Sequence, residues 1–96
     1  MKIITILNYG CGNLLSIKRA IEEVGYSPKI ISEKKETEKA KFIILPGVGA
    51  FENAMSLLRH KNFIEPLKQF ALIDKKPLLG ICLGMQILLT KSFEMG

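Results

Sequence analysis

Ninety-six residues hold at most one domain, and a small one for an α/β architecture. With 48% hydrophobic and 24% charged residues, the chain is neither disordered nor of low complexity. Its net charge of +5 is scattered, and between Glu33 and Lys41 basic residues alternate with Glu36 and Glu38, which argues for a solvated surface and against a nucleic-acid partner. No apolar run is long enough to cross a bilayer, and the first residues read as a strand and not as a signal peptide, so a cytoplasmic chain without membrane contact is expected. The two cysteines, Cys11 and Cys82, have neither metal-ligand spacing nor a disulfide framework around them; reduced thiols, no metal and no cofactor are expected.

In chain order, Ile3 to Leu7 is a short apolar run ended by Asn8-Tyr9-Gly10-Cys11-Gly12, the pattern of a buried parallel strand and a glycine turn. Asn13 can cap a helix whose Leu14, Ile17, Ala20, Ile21 and Val24 recur at helical spacing, and Gly25 is placed to stop it. Lys29 to Ser32 reads as a second strand, followed by a charged loop or ragged helix. Phe42 to Leu45 reads as a third strand, broken by Pro46-Gly47. Phe51, Ala54, Met55 and Leu58 form the stripe of a second helix. A further helix covers roughly Ile64 to Ile73, with Pro66 tolerable only in its first turn. Leu78 to Ile81 is a fourth strand, and Met85, Leu88 and Leu89 share one side of a helix behind it. This alternation predicts right-handed βαβ units, a parallel sheet and helices on both faces. Ligands bind such sheets at the carboxyl ends of the strands, where Gly10–Gly12, Pro46–Gly49 and Gly80–Gly84 converge.

The run Gly80-Ile81-Cys82-Leu83-Gly84 has the context of a nucleophile elbow, a sharp strand-to-helix turn that lifts its central side chain out of the sheet. A helix N-terminus favours a thiolate at Cys82, and the Leu83 N–H would face an oxyanion forming on an attacked carbon. A buried core cysteine is the alternative. In Pro46-Gly47-Val48-Gly49, glycines on both sides of Val48 let backbone N–H groups turn towards a ligand, although an ordinary strand-ending turn would look the same. Gly10-Cys11-Gly12 suggests a dinucleotide fingerprint only weakly: Leu15 stands where the third glycine belongs, and Glu33 matches the later acidic residue loosely. His60, the sole histidine, lies between Arg59 and Lys61 and reads as a solvated helix end. Tyr9, Phe51, Met55 and Met85 read as packing residues.

Three segments carry a resemblance along the whole chain: Tyr9-Gly10-Cys11-Gly12-Asn13-Leu14, Leu45-Pro46-Gly47-Val48-Gly49-Ala50-Phe51 and Gly80-Ile81-Cys82-Leu83-Gly84-Met85-Gln86. The chain resembles the N-terminal half of a class I (triad-type) glutamine amidotransferase. More narrowly, it resembles the glutaminase subunits of imidazole glycerol phosphate synthases, to which the Pro-Gly-Val-Gly-Ala-Phe segment points. The resemblance implies a flavodoxin-like α/β fold, truncated, with residues 1–96 as the N-terminal half of the domain. It implies that Cys82 attacks the side-chain amide of L-glutamine, giving a γ-glutamyl thioester and ammonia. Gly49 and Leu83 N–H groups would hold the oxyanion, if need be after the Gly47–Val48 turn rearranges, with Val48 a further candidate. Gly47, Gly49 and Gln86 would bind substrate. Ammonia would pass to a cyclase subunit with a (β/α)₈ barrel, for histidine biosynthesis. Asn13 and Arg19 match positions at the partner interface.

Two departures stand out. Asn8 occupies a place where the family often has Asp. The family's triad is completed by a His-x-Glu from its second half, and His60 is in the wrong order and setting to replace it. A nucleophile without its base is therefore expected, inactive alone, with the Cys82 strand left as an apolar edge. The rival readings are a paralogous subunit feeding ammonia to another synthase, a non-catalytic binding module, and a redox or phosphate-binding α/β module.

Overall fold

Strands β1 (Ile3–Leu7), β2 (Ser27–Ile31), β3 (Ile43–Leu45) and β4 (Leu78–Gly80) form one parallel sheet in the spatial order β2-β1-β3-β4. This computed structural model describes residues 2–47 and 51–81. The expectations placed on Val48, Gly49, Cys82, Leu83 and Gln86, and the helix behind the fourth strand, lie outside the described residues. Register pairs Ile6 with Ile30 of β2 and Ile44 of β3, and Leu45 with Gly80 of β4.

Successive strand residues point to opposite faces, and each face is buried under helix. Ile6 and Ile44 pack with Ile21, Leu14 and Ile17 of helix α1 (Leu14–Glu23). Leu7, Ile43 and Leu45 pack with Ala54, Met55 and Leu58 of helix α2 (Phe51–His60) and Leu67 of helix α3 (Ile64–Lys68). Complete burial of a side chain such as Leu45 or Leu58 is worth about 1.5–3 kcal/mol each, so the second face carries most of the core. The doubly covered parallel sheet expected from the alternation is the one observed.

Both ends of α1 follow from the sequence. Asn13 Oδ1 accepts the Ser16 N–H at 3.2 Å, satisfying one of the first-turn donors. At the other end Gly25, at φ +91°, donates to the Glu22 carbonyl while Tyr26 N–H reaches the Ile21 carbonyl, both at 3.1 Å, a Schellman closure.

Elsewhere the structure adjusts the expected boundaries. The second strand starts at Ser27, two residues before the expected Lys29, because Ser27 N–H already bonds the Lys2 carbonyl. The charged segment forms a 3₁₀ helix over Lys34–Lys39, with Glu36 Oε1 accepting from the Ser32 and Glu33 N–H groups. Lys76 Nζ bonds the Glu38 and Ala40 carbonyls and lies 5.6 Å from the Phe70 ring centroid, tying that segment to the chain before β4. The helix expected over Ile64–Ile73 begins as α3, with Pro66 in its first turn, and widens into π-helical turns over Gln69–Ile73. There the Asp74 N–H reaches back five residues to the Gln69 carbonyl at 2.8 Å. No described helix is long and apolar enough to cross a membrane.

Candidate active site

Three chain segments meet at the carboxyl ends of β1, β3 and β4. The Ile81 N–H bonds the Leu45 carbonyl at 3.0 Å, extending the β3–β4 ladder by one step. The residue immediately before Cys82 is thereby fixed beside the residue immediately before Pro46-Gly47. Gly80-Ile81 and Leu45-Pro46, more than thirty positions apart in the chain, are thus neighbours at this edge of the sheet.

The loop after β1 closes on the same turn. Tyr9 is fully buried, and its hydroxyl donates to the Pro46 carbonyl oxygen at 2.5 Å. Cys11, also buried, is hydrogen-bonded to the Tyr9 side chain. Burial above all, and then the neighbouring Cys11, raises the Tyr9 pKa well above the ordinary tyrosine value of 10.0, so the phenol is a neutral donor at physiological pH. The sequence pattern presents Tyr9 as a packing residue. The signal that reveals more is chemical: a buried phenol requires a partner for its hydroxyl.

Gly12 explains the second glycine of this loop. It sits at φ +103°, and a Cβ added there would stand 2.7 Å from Pro46 Cβ and 3.2 Å from the Gly47 nitrogen. Gly12 thus permits two protein loops to touch, which gives it a packing reason in place of the weak dinucleotide reading. Asn8 starts the loop: its N–H bonds the Ile31 carbonyl at 2.8 Å, its Nδ2 donates to Ser32 Oγ at 3.3 Å, and its Oδ1 faces the Gly10 N–H at 3.4 Å. An aspartate could instead accept from the Ser32 hydroxyl, so Asn8 is a mild departure.

Among the other expected site residues, Gly47 is buried at the turn, whereas Asn13 and Arg19 are exposed on the loop and helix that follow β1. Asn13 is already engaged as the α1 cap. His60 ends α2 and is exposed. Helix α2 starts after β3 at the carboxyl edge and runs for ten residues, about 15 Å at the usual helical rise, which carries His60 away from the turns. A separate open depression of about 710 Å³, lined by Lys34, Arg59, Asn62 and Glu65 among others, includes none of the turn residues.

Comparison with known proteins accords with this geometry. The imidazole glycerol phosphate synthase subunit HisH 1 of Legionella pneumophila (strain Lens) is 52% identical over 96 residues, covering 100% of this chain and 45% of the relative. The subunit HisH 1 of Campylobacter jejuni (strain RM1221) is 45% identical over 94 residues, covering 98% of this chain and 47% of the relative. The chain thus spans a little under half the length of these curated relatives. Among solved structures, a Thermoplasma acidophilum protein named for one of the GMP synthase subunits shares the fold, with a TM-score of 0.67 at 20% identity over 92% of this chain and 43% of the other. The family model for class I glutamine amidotransferases matches residues 5–94, and the chain belongs to that family.

Proposed function

We propose that this chain provides the nucleophile and oxyanion turns of a glutaminase that releases ammonia for an imidazole glycerol phosphate synthase. The observation that supports it most is the Ile81–Leu45 hydrogen bond, which sets the residue before Cys82 beside the residue before Pro46-Gly47. Relatives of 45–52% identity carry the name of that synthase's HisH subunit.

In this reading the Cys82 thiolate attacks Cδ of glutamine, and the carbonyl π pair moves onto oxygen. N–H groups of Gly49 and Leu83, with Val48 as a further donor, hold that oxyanion. Collapse of the tetrahedral adduct expels the amide nitrogen as ammonia once it gains a proton, and leaves a γ-glutamyl thioester on Sγ. Water then attacks the thioester and releases glutamate. The proton carrier is the histidine that the family supplies from its second half. Gly47, Gly49 and Gln86 line the glutamine site, while Asn13 and Arg19 face a cyclase partner with a (β/α)₈ barrel. The assembly is a cytoplasmic heterodimer with lyase activity in histidine biosynthesis, and neither nucleic acid nor membrane takes part.

The test is alkylation of Cys82 in a full-length subunit carrying these residues, using a glutamine-like electrophile. Labelling that is faster than with a simple haloacetamide and suppressed by glutamine supports the reading. Equal labelling by both reagents, unaffected by glutamine, would indicate a plain reactive thiol and remove the glutaminase assignment.

A further inference from the structure

We propose that Tyr9 is a positioning residue for the glutaminase reaction: its hydroxyl, through the Pro46 carbonyl, sets the orientation of the Pro46–Gly47 peptide at the substrate turn. The proposal rests on the functional reading above. Carbonyl and N–H of one peptide unit lie in a single rigid plane and point in opposite directions. A bond that anchors the Pro46 oxygen therefore also aims the Gly47 N–H, and sets the direction in which the chain enters the glycine turn.

Three contacts restrain this short stretch from different sides. The Leu45 carbonyl accepts from the Ile81 N–H at 3.0 Å, the Pro46 carbonyl accepts from Tyr9 Oη at 2.5 Å, and Gly12 lies against the Pro46 ring. Of the three, the Tyr9 bond is the one hydrogen bond to the peptide that contains the Gly47 nitrogen, while Gly12 packs against that peptide without bonding it. Proline supplies no N–H of its own and glycine permits many backbone angles, so little in the local sequence fixes this peptide. Tyr9, Pro46 and Gly47 are all buried, so among the described residues the bond between the phenol and the Pro46 oxygen lies within the core side of the turn.

The experiment is Tyr9→Phe in the full-length protein, in complex with its synthase partner. Partner-stimulated glutaminase kcat and KM, the thermal midpoint and the rate of Cys82 alkylation by iodoacetamide are measured together. The expected result is a fall in kcat on the order of tenfold, the scale of one lost buried hydrogen bond, with KM raised because Gly47 lines the glutamine site, and thiol alkylation changed little. Placing p-aminophenylalanine at Tyr9 restores a para N–H donor and should recover turnover. This second variant also distinguishes the missing donor from a general loss of packing. A Tyr9→Phe protein with a lower thermal midpoint and unchanged kcat would make Tyr9 structural only and overturn the proposal. Failure of the p-amino variant to recover kcat in a folded protein would overturn it as well. Absence of glutaminase turnover in the unmodified assembly would overturn the functional reading, and this proposal with it.

Discussion

Gly12 and Pro46 approach so closely that a single methyl group at residue 12 would stand 2.7 Å from Pro46 Cβ. The contact joins the loop after β1 to the turn after β3. It ties the segment carrying Asn13 to the one carrying Gly47.

Gly12→Ala should therefore be costly. It combines a φ of +103° with a clash against a ring that the Tyr9 bond holds in place. A destabilisation on the order of 3 kcal/mol is expected. Gly25→Ala is the control: it has a φ of +91° but nothing within 4 Å of the added methyl, so only backbone strain of about 1 kcal/mol applies. Urea unfolding of both variants should show Gly12→Ala as clearly the worse. Equal losses would mean that the Gly12–Pro46 contact is not tight in solution.

The two roles assigned to Asn13 can be separated. Asn13→Ala removes the cap and should cost about 1 kcal/mol of stability. Asn13→Asp keeps a side-chain oxygen for the Ser16 N–H and should leave the unfolding midpoint nearly unchanged. If the amide also faces the cyclase, affinity for the partner will fall in both variants. Titration calorimetry that finds weaker binding only in Asn13→Ala would reduce the residue to a helix cap.

His60 should be dispensable for chemistry. It is exposed at the end of α2, one helix length away from the turns. His60→Ala in the full-length protein should retain glutaminase turnover within about twofold, as surface changes away from a site usually do. Residues 1–96 by themselves should release no more glutamate than their Cys82→Ala counterpart, because a nucleophile without a positioned base loses most of its rate. Turnover by the isolated chain that disappears in His60→Ala would reverse both expectations.

Tyr9 should make stability depend on alkaline pH. Its folded-state pKa lies above the unfolded value of 10.0, chiefly because of burial. Above pH 10 the unfolded chain releases the phenolic proton while the folded one keeps it. Folding stability contributed by Tyr9 is thus fully present below pH 10 and declines as pH rises beyond it, by about 1.4 kcal/mol per unit for one group. The measurement that isolates this phenol is the difference between wild type and Tyr9→Phe in urea melts from pH 8 to 11. A constant difference would show that the phenol ionises as easily in the folded protein.

Much of this molecule is legible along the chain. Four apolar runs end at glycine or polar breaks, Asn13 and Gly25 bracket α1, and Pro46-Gly47 ends β3; each is a local choice of backbone angle or cap, written in adjacent residues. The family is legible as well, from the three segments that carry the resemblance. What the tertiary structure alone decided is which turns meet. The partner of the Tyr9 hydroxyl lies 37 positions away, and the reason for Gly12 is the Pro46 ring. Neither leaves a local trace, because both depend on β1 and β3 being neighbours in the sheet. The π-helical widening after Lys68 is hidden for the same reason. Apolar spacing reports which face of a helix is buried, whereas its hydrogen-bond register is settled by how its end is drawn towards β4.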